Sequence, residues 1–120
     1  SMQRLPTLQA LYLIWHQPIM GVGNDTFIHQ MLKKAGFENV LLDYPRYPTL
    51  NEATIQALAP EVILLSSEPF PFKEKHLSFY SKLCPEAKVQ KVDGELFSWY
   101  GSRLLQSPDY FLTLRQQTKE

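Results

Sequence analysis

The side chains with the most chemical content are few. Gly21-Val22-Gly23 begins like a phosphate-cradling loop, but position 26 is Thr, so the dinucleotide fingerprint Gly-x-Gly-x-x-Gly is incomplete. The sequence holds neither a Gly-Lys-Ser/Thr phosphate loop nor a Gly-x-Ser-x-Gly nucleophile turn. His16, His29 and His76 lack the spacing of metal ligands, and His29 and His76 read as ordinary helix-surface residues. The single cysteine, Cys84, closes a helical pattern before Pro85 and reads as buried and inert. Acidic residues are scattered, without the paired carboxylates of general acid–base work. These features speak against an enzyme and leave the aromatic side chains, seven Phe, six Tyr and two Trp, as the groups to explain.

Their placement depends on the elements around them. Nine prolines punctuate the chain, and between them four short apolar runs are each followed by a helical pattern. The first run, Ala10 to Trp15, has the length and the branched and aromatic content of a strand. Asn24 and Asp25 offer an N-cap to a helix whose inner face is Phe27, Ile28, Met31, Leu32 and Ala35, with Gly36 at the C′ position. Val40-Leu41-Leu42 reads as the second strand. Thr49-x-x-Glu52 is a capping box that opens a helix with Ile55 and Leu58 inward, closed by Pro60. Val62 to Leu65 is apolar throughout, as a central parallel strand is. Lys73 to Cys84 follows as a helix with Leu77, Tyr80 and Leu83 at core spacing, and Lys88 to Val92 as an edge strand. A helical turn or two around Ser102 to Gln106 and a last helix from Ser107, Pro108 and Asp109 complete the pattern. The order predicts an α/β fold: a three-layer α/β/α sandwich on a mostly parallel sheet of four to five strands.

Open α/β sheets bind ligands outside the carboxyl ends of their strands. Those ends correspond to residues 15–24, 43–50, 66–72 and 93–100, which hold Trp15, Tyr44, Tyr47, Phe70, Phe72, Phe97, Trp99 and Tyr100. Eight of 15 aromatics in about a third of the chain predict a broad apolar surface for a large flat ligand or another protein. Glu52 completes the capping box on spacing alone, a contribution of about 1 kcal/mol. Arg103 reads either as a clamp for a carboxylate or phosphate or as a solvated helix residue. Arg46 has the same two readings.

Composition bounds the rest. With 120 residues the chain is one domain, long enough for a core that needs no disulfide or structural metal. Twelve basic and twelve acidic side chains give a net charge of zero, against a nucleic-acid or acidic-membrane binder. No apolar run approaches the ~20 residues of a membrane span. Ser1-Met2 reads as a cloning scar, which makes residues 3–120 a piece of a longer protein.

Several segments together resemble a known family. They are Tyr12-Leu13-Ile14-Trp15 with Pro18, Asp25-Thr26-Phe27-Ile28, Ala35-Gly36-Phe37-Glu38-Asn39-Val40, Thr49-Leu50-Asn51-Glu52 and Leu58-Ala59-Pro60-Glu61-Val62-Ile63-Leu64-Leu65. Ser66-Ser67-Glu68-Pro69-Phe70-Pro71-Phe72 and Val92-Asp93-Gly94-Glu95-Leu96-Phe97-Ser98-Trp99-Tyr100-Gly101-Ser102-Arg103 continue the series. In this order they resemble the C-terminal lobe of the substrate-binding proteins of ABC importers for cobalamin, ferric siderophores and haem. The resemblance implies one lobe of a two-lobed periplasmic-binding-protein fold, with the N-terminal lobe and the linking helix absent. It implies a ligand held by Trp15, His16, Pro18 and Met20, by Phe70 and Phe72, and by Phe97, Trp99, Tyr100 and Arg103. It implies that Glu52 docks onto arginines of a membrane permease. It also implies a monomer in the periplasm or cell envelope, with cobalamin, a ferric siderophore or haem as ligand and no catalytic cofactor or bound metal of its own. Two alternatives stand beside it: a flavodoxin-like nucleotide- or phosphate-binding enzyme domain that uses Gly21-Val22-Gly23, and a protein-interaction domain that uses the aromatic edge directly.

Overall fold

The computed structural model describes residues 7–94. Within them lies a six-stranded sheet with helices on both faces, the layered α/β architecture expected. The central strand β1 is Leu8–Trp15. It runs parallel to β5, Val62–Ser66, with Ala10 opposite Val62 and Leu13 opposite Leu65. Beyond β5 lies the parallel edge strand β6, Lys88–Val92. The other side of β1 is shared. Its start pairs in parallel with β3, Phe37–Asn39, and its end pairs antiparallel with β2, Ile19–Gly21. A two-residue strand, β4 at Thr49–Leu50, extends the sheet antiparallel to β2.

Alternation along β1 and β5 divides the core. Ala10, Tyr12, Val62 and Leu64 face α1, Phe27–Lys34, and meet Met31, Leu32 and Ala35. Leu11, Leu13, Ile63 and Leu65 face the opposite way, toward Ile55 of α2, Glu52–Leu58, and Tyr80 of α3, Glu74–Leu83. Because both of its faces are covered, every residue of β5 is buried.

The second strand lies earlier than the apolar run Val40-Leu41-Leu42. Asn39 ends it: its Oδ1 accepts from the Leu41 N–H at 3.0 Å while its Nδ2 donates to the Val22 carbonyl at 2.9 Å. The side chain thereby turns the chain, and Leu41 fills the core from the turn rather than from a strand. Neither helix start matches its expected cap. For α1 the cap is Thr26, whose Oγ1 accepts from the His29 N–H at 3.1 Å. Asp25 is used elsewhere, accepting from the Arg46 N–H at 2.6 Å and pairing with its guanidinium at 3.4 Å. For α2 the cap is Asn51, which accepts from the Thr54 N–H at 2.8 Å, because Thr49 is already in β4. The Thr49–Glu52 capping box therefore does not form. Phe27, read as an inner residue, is 52% exposed. Gly36 does adopt positive φ, as a C′ glycine should.

Gly21 and Gly23 serve packing. The loop 44–48 returns along β2, where the Gly23 N–H donates to the Arg46 carbonyl at 2.6 Å and the Asn24 N–H to the Tyr44 carbonyl at 2.8 Å. A Cβ on Gly23 would lie 2.2 Å from the Tyr44 carbonyl oxygen and 2.8 Å from the Pro45 carbonyl carbon, both backbone atoms. Gly23→Ala is expected to destabilise the fold by about 1–3 kcal/mol through this overpacking. Urea unfolding measures it; an unchanged midpoint would show that the two loops part freely.

Candidate functional site

At the carboxyl ends of β1 and β5 a connected set of rings forms. Trp15 is the last residue of β1 and 36% exposed. It meets Phe70 of the β5–α3 loop edge to face, with ring centroids 5.2 Å apart. Phe70 in turn contacts Phe72 at 4.8 Å and His76 at 5.1 Å. His16 sits beneath, its ring 5.9 Å from Phe70, 4.9 Å from His76, 5.2 Å from Phe79 and 5.6 Å from Tyr80. Phe72, His76 and Tyr80 are buried, while Trp15 is exposed and His16, Phe70 and Phe79 are half-buried.

Two hydrogen bonds orient the base of this set. The Lys73 N–H donates to His76 Nδ1 at 2.8 Å, so the neutral ring carries its proton on Nε2. Tyr80 Oη lies 2.7 Å from His16 Nδ1. Burial, and after it the Glu52 carboxylate, pushes the Tyr80 hydroxyl above its ordinary value. The hydroxyl therefore keeps its proton and shares a hydrogen bond with His16.

Burial lowers both imidazoles from their ordinary value. At His16 the neighbouring His76 and Lys75 add to the effect and Glu52 opposes it, while at His76 Lys75 and Lys73 add to it. In the unfolded chain a histidine takes up its proton near pH 6.5. The folded rings resist that proton, so their contribution is complete above about pH 6.5 and is lost as pH falls toward the lowered folded values. Stability should thus decline as pH falls below about 6.5, as urea unfolding at a series of pH values would record. Replacing His16 or His76 by Gln should flatten that slope, and an equally steep slope in both variants would contradict the assignment.

Of the residues expected to hold a ligand, Trp15, His16, Phe70 and Phe72 come together. Phe72 does so from below, 5% exposed, and supports Phe70 rather than facing outward. Pro18 is exposed in the β1–β2 turn, and Met20 is half-buried on β2 opposite Trp15 in register. Phe97, Trp99, Tyr100 and Arg103 lie outside the described residues, as do the helices expected beyond residue 101. His76 is not the surface residue expected from the sequence, since it is 6% exposed. His76 and Tyr80 are four residues apart in α3 and so share one side of the helix, which was the available sign that His76 belongs with the rings.

Glu52 is exposed at the first position of α2, and among the described residues no cation pairs with it. The Gly23 and Asn24 amides, which would hold a phosphate in a nucleotide loop, are committed to the 44–48 loop. Arg46, 84% exposed in its side chain, is engaged by Asp25. Cys84 is buried, and burial pushes its thiol up. Among the described residues no group of three or more His, Cys, Asp or Glu side chains could hold a metal ion. No described helix is long and apolar enough to cross a membrane.

Neither a family model nor a curated protein sequence matches this chain. Solved structures do. The periplasmic vitamin B12-binding protein BtuF of Vibrio cholerae superposes with a TM-score of 0.75 at 14% identity, covering 99% of this chain and 48% of that one. The periplasmic haem-binding protein RhuT from Roseiflexus sp. RS-1 gives 0.72 at 18% identity, over 92% and 47%. A possible iron-binding periplasmic solute-binding protein from Staphylococcus epidermidis gives 0.70 at 16% identity, over 89% and 46%. The fold is that of one lobe of a two-lobed solute-binding protein. The chain spans under half the length of each of these three neighbours. All three are solute-binding proteins rather than enzymes, and at 14–18% identity the likeness is one of fold.

Proposed function

We propose that the chain is the carboxyl-terminal lobe of an ABC-importer substrate-binding protein. It captures a cobalamin-like or iron-chelate ligand, a ferric siderophore or haem, outside the inner membrane and delivers it to a permease. The observation that carries this reading is the Trp15–Phe70 pair. It presents an apolar aromatic edge at the strand ends of a lobe-like fold, seated on half-buried His16 and buried Phe72, His76 and Tyr80. Neighbours of the same fold that bind vitamin B12 or haem support the class of ligand. Any metal arrives inside the ligand.

The mechanism needs no bond-making. Trp15 and Phe70 cover one face of the ligand, and Pro18 and Met20 extend that wall. The resemblance adds Phe97, Trp99, Tyr100 and Arg103, outside the described residues, as further ligand contacts, and a second lobe completes the cleft. The protein acts as a monomer in the periplasm or cell envelope. A thermal-shift screen of the full-length protein against cyanocobalamin, haemin, ferric siderophores and a set of nucleotides tests the class. A rise in Tm with a metal chelate is expected, and stabilisation by nucleotides alone would favour a phosphate-binding domain.

Glu52 is the docking residue for the permease in this reading. Asn51 caps α2 without it, which leaves its carboxylate available to a partner arginine. Glu52→Ala should change stability by no more than about 0.5 kcal/mol, as for an unpaired surface site. Ligand uptake by cells that carry the variant should fall severalfold. Normal uptake with a normally stable variant would remove the docking role.

A further inference from the structure

A second concavity opens at the same sheet edge on the opposite face. Successive residues of β1 point to opposite sides, so Ile14 packs on the α1 side while Trp15 joins the Phe70 layer. Ile14, Val22 and Ile28 floor a cavity of about 410 Å³, with Tyr47, Ser66 and Glu68 among its remaining walls. The floor is apolar, and Tyr47 is a half-exposed aromatic on one rim. Glu68 is the single charged side chain that lines it among the described residues. Arg46, beside Tyr47, pairs with Asp25.

The position of Glu68 is fixed by its backbone. The Ser66 hydroxyl donates to the Glu68 carbonyl at 2.5 Å, and the Gly94 N–H donates to Ser67 Oγ at 2.9 Å. A Cβ on Gly94 would lie 2.1 Å from Ser66 Oγ, so the chain leaving β6 packs directly on this loop. The volume leaves room for a short arm. A carboxylate only accepts hydrogen bonds, so its complement must donate. A second carboxylate placed there would meet like charge over an apolar floor.

We propose that this cavity takes a side arm of the bound ligand that ends in an uncharged or cationic hydrogen-bond donor, a primary amide or an ammonium group, and turns away ligands whose outer groups are anionic. The inference rests on the proposed function of the aromatic edge and names the class of ligand that edge receives. Two donor-bearing probes, amide-rich cyanocobalamin and the ammonium-bearing ferrioxamine B, distinguish the two sources of such an arm. Haemin, with its carboxylates, and trianionic ferric enterobactin are the opposing pair.

Calorimetric titration of the full-length protein with all four should show a donor-bearing probe bound at least roughly tenfold more tightly than either anionic one. Glu68 is exposed, so Glu68→Gln and Glu68→Lys should fold normally, as their unfolding curves would verify. Glu68→Lys should reduce the preference by roughly tenfold or more, with Glu68→Gln between it and the parent. Equal or tighter binding of an anionic probe, or a preference unchanged in Glu68→Lys, would overturn the inference and leave the aromatic edge standing. Binding of none of the four would remove the proposed function and this inference with it.

Discussion

Tyr80→Ala should destabilise the folded chain by about 3–5 kcal/mol, the range for deleting a large buried side chain. Tyr80 is fully buried, with its ring 4.9 Å from Phe79 and 6.5 Å from Phe72. Few neighbours are placed to refill the space, because the β5 residues of this face, Ile63 and Leu65, are fixed by the sheet on both sides. Two effects should be separable. Tyr80→Phe keeps the ring and removes only the hydrogen bond to His16 Nδ1, a loss of about 0.5–1.5 kcal/mol. The same variant should move the pH at which His16 titrates, because its Nδ1 loses that hydrogen-bond partner. NMR titration of the imidazole reads that change directly. A Tyr80→Ala chain as stable as the parent would mean that the aromatic base under Trp15 is not a structural unit.

Trp15→Ala carries the second large effect, on binding rather than folding. Trp15 is 36% exposed at the end of its strand, and its ring rests on Phe70. Central interface tryptophans commonly contribute 2 kcal/mol or more. Truncation should therefore weaken ligand binding by about thirtyfold, or about 2 kcal/mol. Stability should change by less than it does in Tyr80→Ala, since part of the ring is already in water. The chain has one other tryptophan, Trp99, so quenching of the Trp15 emission can be assigned by comparing the parent with Trp15→Phe. Undiminished affinity in Trp15→Ala would place the ligand elsewhere.

The layered fold was legible because its long signals come from burial. The all-apolar Val62–Leu65 reads as a central strand, and the 3.6-residue periodicity of Lys73–Cys84 reads as a helix; both elements occur nearly as expected. The short pieces were not legible. β2 and β4, three and two residues long, have no room for a period, and only their backbone pairing defines them. Val40-Leu41-Leu42 misleads because Leu41 is a core residue delivered by a turn, and the decisive group is the amide of Asn39. The caps at Thr26 and Asn51 differ from those expected because Asp25 and Thr49 have tertiary partners, which a local pattern does not contain.

The candidate site was legible in part for the same reason. Trp15 and Phe70 could be placed at strand ends from the element order alone. That His16 would stack on His76 and bond to Tyr80, 64 residues away, depends on how α3 crosses the sheet. Gly23, which only the alternative reading placed in a phosphate loop, is required by the close return of residues 44–46.

The central claim is that this lobe forms one wall of a cleft for a metal chelate. Fluorescence titration of the full-length protein with cyanocobalamin, haemin and a panel of ferric siderophores tests it most directly. One of these ligands should quench the tryptophan emission saturably, at a 1:1 stoichiometry and a Kd of about 1 µM or below, and the quench should be smaller in Trp15→Phe. Absence of saturable binding by every ligand in the panel would contradict the claim.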